Sequence, residues 1–205
     1  MTIRPGADWG HHGALPPNAP VVGSDAEVAG LVAEWAAAGR PPGGVTIGVL
    51  AGDLHRTIGA PPADRMTTPR AMVLPCDVAV ATIDGVDHWF VAHMVAGDGP
   101  WFRGHTSVVM NAAFIGPANL GPKAHPGDGR LDITTGTLSW RDRRAARARY
   151  GSGTHLPHPG LITSRVASTE LTFDRPVAVV LDGVSIGRAR TIGIQVVPDA
   201  LTVVA

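Results

Sequence analysis

The stretch "NLGPKAHPGDGRLDI" (119–133) gathers Lys123, His125, Asp128 and Asp132 among small turn residues, just ahead of an apolar run. Acids and a lysine beside glycines can serve a phosphate or a metal. The same Asp, Gly and Pro residues also build a tight surface turn with Lys123 as a solvated charge, and residue types alone favour that reading. Asp182-Gly183, closing "VAVVLDG", is a hairpin signal. "GVSIG" (183–187) has the spacing of a hydrolase nucleophile elbow. That elbow needs a strand, a sharp turn and a helix, whereas strand-like runs flank Ser185 on both sides, so Ser185 is not read as a nucleophile. His155 and His158 stand three apart, but Pro157 and Pro159 exclude a regular helix between them. Without a third ligand nearby, they and His11-His12 read as loop histidines. Five arginines fall between 141 and 149 in "SWRDRRAARARYGSG". They form a solvated helix face, or one that meets a phosphate or an anionic lipid surface.

The elements that must hold these residues fall into two textures. Residues 1–20, rich in Pro, Gly and His, lack periodicity and read as an irregular arm. Val21 and Val22 end a short strand, and Ser24 or Asp25 caps a helix with Glu27 at its positive end. Val28, Leu31, Val32 and Trp35 share one face of that helix, and Gly39 stops it. "VTIGVLAGD" (45–53) is a buried-strand pattern, so strand, helix and strand make a parallel α/β unit. "LHRTIGAPP" follows as a short helical turn. From residue 72 onward, short β-branched runs alternate with Gly, Asp and Pro, which predicts a β-sandwich or barrel. One helix, 139–153, interrupts them with Ser139 as N-cap and Gly151 as stop.

Bulk properties narrow the function classes. The 205 residues are 44% hydrophobic and 17% charged, with 17 basic and 17 acidic side chains. A zero net charge gives no global field for a nucleic acid and removes a brake on homo-oligomer formation. Cys76 is the only cysteine, so neither a disulfide scaffold nor a cysteine-rich zinc site is available, and a cytoplasmic setting is expected. Neither a signal-peptide core nor a spanning run stands out.

The order of motifs resembles the diacylglycerol kinase-like lipid kinases, relatives of sphingosine kinases and, more distantly, NAD kinases. "VVMNAAFIGPANLGPKAHPGDGRLDI" (108–133) is similar to the family block running from an Asn strand through a Gly-rich turn to an acid-Gly pair and Leu-Asp. "PVAVVLDGVSIG" (176–187) is similar to the late strand ending in Asp-Gly-Glu. "GVLAGDLHRTIGAP" (48–61) resembles the Gly-Thr-Gly-Asn-Asp segment, and "VVGSDAEVAGLV" (21–32) the Gly-Gly-Asp-Gly-Thr nucleotide loop. The resemblance implies α/β plus β: a truncated Rossmann-like α/β domain (1–72, with the arm), then a β-sandwich domain (73–205) whose last strand returns to the first. It implies ATP with Mg²⁺ in the intervening cleft and a lipid hydroxyl as acceptor.

The resemblance also assigns roles. Gly23, Ser24, Asp25, Gly52 and Asp53 would face the nucleotide, with Asp25 orienting Mg²⁺ and phosphates and the glycines permitting close approach. Asp182 would be the general base. Asp128 would hold a structural Mg²⁺. The departures fall on the nucleotide loops. Ser24 and Ala26 carry side chains where glycines are expected, Glu27 replaces a threonine, and only Gly52 and Asp53 remain of the second segment. Val184 replaces the glutamate after Asp-Gly, and "GDGPWFRGHTS" (97–107) replaces a longer region walling the lipid tail. The expectation is a lipid-kinase-like protein with weakened or lost phosphoryl transfer, binding a lipid, another small molecule or a partner, with peripheral membrane contact allowed. Its alternatives are an active ATP-dependent lipid kinase and a non-enzymatic β-rich interaction module.

Overall fold

The computed structural model describes residues 8–99 and 102–205. The first seven residues of the expected arm, and residues 100 and 101 of "GDGPWFRGHTS", lie outside it. Within the arm, β1 (His11–His12) forms a two-residue pairing against a later strand. β2 (Val21–Val22), α1 (Asp25–Ala37) and β3 (Val45–Val49) follow, and β2 pairs parallel to β3. Ser24 caps α1, its hydroxyl accepting from the Glu27 N–H at 3.3 Å. Val28, Ala29 and Val32 are buried, with Leu31 and Trp35 packed partly beside them, which is the face set by their spacing. Gly39, at φ 68°, turns the chain out of the helix. α2 (Asp53–Thr57) is a single short helix, followed by a 3₁₀ turn at Ala63–Thr67.

Beyond it the chain is mostly β. β4 (Met72–Ile83), β5 (Val86–Phe90), β6 (His93–Gly97) and β7 (Thr106–Met110) lead to a small hairpin, β8 (Phe114–Ile115) and β9 (Ala118–Asn119). β10 (Leu131–Gly136), α3 (Trp140–Arg147), β11 (Leu161–Val166), β12 (Ser168–Leu181) and β13 (Val184–Val204) complete the fold. The main sheet runs β1-β4-β13-β12-β6-β7-β10-β11, with β5 on β4 and β3 on β13. Runs that read separately in the sequence, "STELTFD" and "VAVVLDG", fuse into β12, whose register shifts against β13 between Thr172 and Val177, around Pro176, and again between Val179 and Val180. α3 ends sooner than its sequence suggests. A 3₁₀ turn at Tyr150–Ser152 follows it, and Gly153 rather than Gly151 takes the left-handed conformation, because the Tyr150 ring is drawn into the core.

β13 decides how the α/β part meets the rest. It breaks register between Val197 and Leu201, then pairs antiparallel with β4 and parallel with β3 through Leu201–Val204. One sheet therefore carries both parts, and one core crosses between them: Val28 and Val32 pack with Ile47, Val49, Leu74, Val78, Leu201 and Val203. A second core, around Phe90, Met94, Val109, Leu131, Phe173, Ile192 and Ile194, fills the β half. No helix among the described residues is long and apolar enough to cross a membrane.

Candidate functional site

The N-termini of α1 and α2, the bend between β5 and β6, and the β12–β13 hairpin converge on three carboxylates. Asp25 opens α1 and is buried. Its carboxylate accepts from the Asp53 N–H at 2.5 Å and the Leu54 N–H at 3.1 Å, so it caps α2 from another helix. Gly52 makes this approach feasible. At φ 108° and ψ 178° it occupies backbone space open essentially to glycine, and a Cβ there would lie 2.6 Å from Asp25 Oδ1. Beside them Glu27 Oε2 accepts from the Gly23 N–H at 2.9 Å. The expected loop amides thus hydrogen-bond to this chain's own carboxylates.

Asp53 lies on the same wall. One carboxylate oxygen accepts from the Gly116 N–H at 2.8 Å and the other is 3.4 Å from His93 Nδ1. The Thr57 hydroxyl donates to the Asp53 carbonyl and accepts from the Ala113 N–H, tying α2 to the β7–β8 connection. Burial, then the neighbouring charge of Asp25, raises the Asp53 carboxyl to about 6. Burial lowers His93 to about 4, so its imidazole is neutral at pH 7.

Asp182 and Gly183, at φ 47° and 83°, form the two-residue turn joining β12 to β13, with Leu181 opposite Val184. The hairpin reading of the sequence describes the backbone, and the side chain does something further. Its oxygens accept from the Val91, Ala92 and His93 N–H groups at 2.7, 3.0 and 2.9 Å, fastening the hairpin to the β5–β6 bend. Burial raises its carboxyl to about 7 against the pull of these three donors, and the charge of Asp25 adds to the rise. Asp25, Gly52, Asp53, His93 and Asp182 are therefore one linked cluster. Ser185, one strand residue further, has no helix behind it.

Asp128 belongs to a different cluster. Its Oδ1 accepts from the Arg130 N–H at 2.9 Å, and its Oδ2 pairs with the Arg165 guanidinium, which also sits 3.3 Å from Asp132 Oδ1. Asp77, fully buried, accepts from the Gly129 N–H at 2.6 Å and the Asp199 N–H at 3.0 Å, and joins this turn to the break in β13. Asn111 donates to the Asp77 carbonyl at 2.9 Å and the Val91 carbonyl at 2.7 Å, linking the two clusters. Asn111 is the Asn of the 108–133 block, whereas Asp77 and His93 carried no expectation from the sequence. Asp77 and His93 are lone polar residues inside apolar strand runs, which is the signal that could have found them. Among the described residues, no group of three or more His, Cys, Asp or Glu side chains is placed to hold a metal ion. His155 is buried against the Tyr150 ring at 4.8 Å, and Cys76 is buried and free.

β12 and β13 form a long, twice-bulged hairpin, with β3 added as a parallel strand at its far end. Residues 61–205 match the YegS C-terminal NAD kinase beta sandwich-like domain, and the chain belongs to that family. Solved structures agree with the diacylglycerol kinase-like resemblance. A candidate diacylglycerol kinase from Bacillus anthracis str. Sterne is 16% identical with a TM-score of 0.61, over 78% of this chain and 69% of that one. A second structure of a candidate diacylglycerol kinase from the same organism gives 16% and 0.67, over 90% and 76%. A third, of a diacylglycerol kinase from that organism, gives 17% and 0.58, over 78% and 66%. At such identities the likeness establishes the fold. No curated protein matches the chain.

Proposed function

We propose that this chain is a lipid-kinase-like protein in which the cleft no longer runs ATP-dependent phosphoryl transfer and instead binds a small ligand or a partner. One observation carries the reading: the Asp25 carboxylate takes the α2 amides at 2.5 and 3.1 Å, with Gly52 closed against it. Phosphoryl transfer rests on positioning and on neutralising phosphate charge. A triphosphate entering here would have to displace a buried carboxylate from its donors and would meet the charges of Asp25 and Asp53 beside Glu27. The residues present therefore do not fit ATP as they stand. They do not fit the Mg²⁺ implied at Asp128 either, since a guanidinium already neutralises Asp128 and Asp132.

A second reading, an active lipid kinase, draws on Asp182, whose value of about 7 suits a general base near neutral pH. Against it, both oxygens of Asp182 are engaged by three backbone donors. The test is transfer of radiolabelled phosphate from Mg-ATP to diacylglycerol in mixed vesicles. The proposal expects no lipid-soluble label above a protein-free control. Time-dependent label that disappears with Asp182→Asn would replace it with the second reading.

A further inference from the structure

β11 is an open end of the main sheet. β10 pairs with it in unbroken register, from Leu131 opposite Val166 to Gly136 opposite Leu161, and no described strand pairs with its outer side. An edge strand presents a row of N–H and C=O groups that another chain can pair with, and proteins commonly blunt such edges. Elsewhere the outer strands β1 and β2 are only two residues long, and β5 packs against α1. β11, "LITSRV", is six residues long, holds neither a proline nor a bulge, and is exposed from Ile162 to Arg165. Its single charge does not guard the edge, because Arg165 is turned to Asp128 and Asp132.

The two faces of this edge differ. Leu161, Thr163 and Arg165 share one face, where Leu161 packs in one core with Ala146 and Tyr150 under α3. His158, just ahead of β11, lies 3.7 Å from Asp142 of α3, which sets the helix beside this end of the strand. Between residues 138 and 166 stand six arginines and one acid, in a protein whose charges sum to zero. That acid, Asp142, accepts from the Ser139 hydroxyl at 2.7 Å, while Arg141, Arg144, Arg147 and Arg149 are exposed. Ile162, Ser164 and Val166 share the opposite face, where Val166 packs against the core of the β half. Ile162 lies beyond the reach of that core and is 75% exposed.

We propose that β11 takes an extended, acidic segment of a partner protein as one further strand of the sheet. Main-chain hydrogen bonds along the edge would supply affinity, and the side chains of the added strand would alternate between the two faces. Apolar residues at every second position would cover Ile162. Carboxylates at the positions between would stand on the side of the α3 guanidiniums, where the charges are complementary. The division between the faces selects this partner. A bilayer or a nucleic acid meets one surface, not both faces of a sheet edge. A second copy of this chain, paired antiparallel through its own β11, would be related by a two-fold axis perpendicular to the sheet. Both arginine helices would then lie on the same side, like charge against like charge. The inference is independent of the cleft: it holds whether or not ATP binds there.

A synthetic peptide alternating valine with glutamate tests it on the intact chain, by fluorescence anisotropy and amide exchange, beside a control peptide alternating valine with lysine. The glutamate peptide should bind about tenfold or more tightly than the lysine peptide, and its affinity should fall steeply with added salt. Its binding should slow amide exchange across β11, residues 161–166. Arg144→Glu combined with Arg147→Glu should lower its affinity by about tenfold, and Ile162→Ser by roughly threefold, with unchanged melting temperatures as the folding control. Should the arginine variant fail to fold, the lysine peptide and the salt series carry the test. Absence of binding, equal binding of the two peptides, or binding that leaves exchange across β11 unchanged overturns the proposal. So does vesicle binding, RNA binding or a concentration-dependent dimer lost in Ile162→Ser, when any of these occurs without peptide binding.

Discussion

Replacing Asp25 with alanine would strand two N–H groups at the start of α2. The carboxylate now satisfies both, at 2.5 and 3.1 Å. Charge-assisted bonds of this kind contribute about 1.5–3 kcal/mol each, so the gross loss is roughly 3–6 kcal/mol. Part of it is offset, because burial raises the Asp25 carboxyl and its charge repels Asp53 and Asp182. A net destabilisation of about 2–4 kcal/mol is expected in urea unfolding at pH 7. Asp25→Asn, which keeps the size and one acceptor, should fall between wild type and alanine. A second readout separates this explanation from simple loss of packing. With the Asp25 charge gone, the Asp53 and Asp182 carboxyls should titrate lower than about 6 and about 7 in carboxylate NMR. A loss under about 0.5 kcal/mol, or unmoved titrations, would refute the claim that Asp25 grips α2 and charges the cleft.

Three further outcomes follow from the same geometry. Gly52→Ala should lose about 2–4 kcal/mol in urea unfolding, from backbone strain and from Cβ pressing on the Asp25 carboxylate. Stability should fall as pH rises from about 4 to about 8, because Asp182 and Asp53 bind protons more tightly folded than unfolded; His93, lowered to about 4 from 6.5, works the other way and offsets part of the fall between those two values. Their contribution is complete below the ordinary aspartate value of 3.8 and is lost through about 6 and about 7; for Asp182 this is on the order of 4 kcal/mol, and Asp182→Asn should flatten the slope. Millimolar Mg²⁺ should leave the wild-type melting temperature unchanged, whereas Arg165→Ala, which removes the cation between Asp128 and Asp132, should be raised by Mg²⁺ or Ca²⁺.

Local signals made part of this fold legible. Ser24 and the spacing of Val28, Leu31, Val32 and Trp35 located α1, and Asp182-Gly183 located the turn between the longest strands. Alternating β-branched runs after residue 72 placed the chain among β-rich folds, and the motif order pointed to the family. What stayed hidden depends on partners far along the chain. The pairing of Leu201 with Val45 draws the last strand to the first part, and no periodicity encodes that register. The donors that meet Asp25 lie 28 and 29 residues away, and those that meet Asp182 about 90. Loop residues of matching type could be named, but whether their amides faced a phosphate or a carboxylate of the same chain was a tertiary fact. Asp77 and His93 were obscured by the apolar runs containing them.

A thermal-shift titration with ATP and Mg²⁺ asks directly whether the α2 amides are available to a triphosphate. A ligand that binds only the folded chain must raise its melting temperature. The expected curve is flat to millimolar ATP for wild type. A saturable rise that is lost in Asp25→Ala would contradict the account, because ATP would then be held through the carboxylate proposed to exclude it.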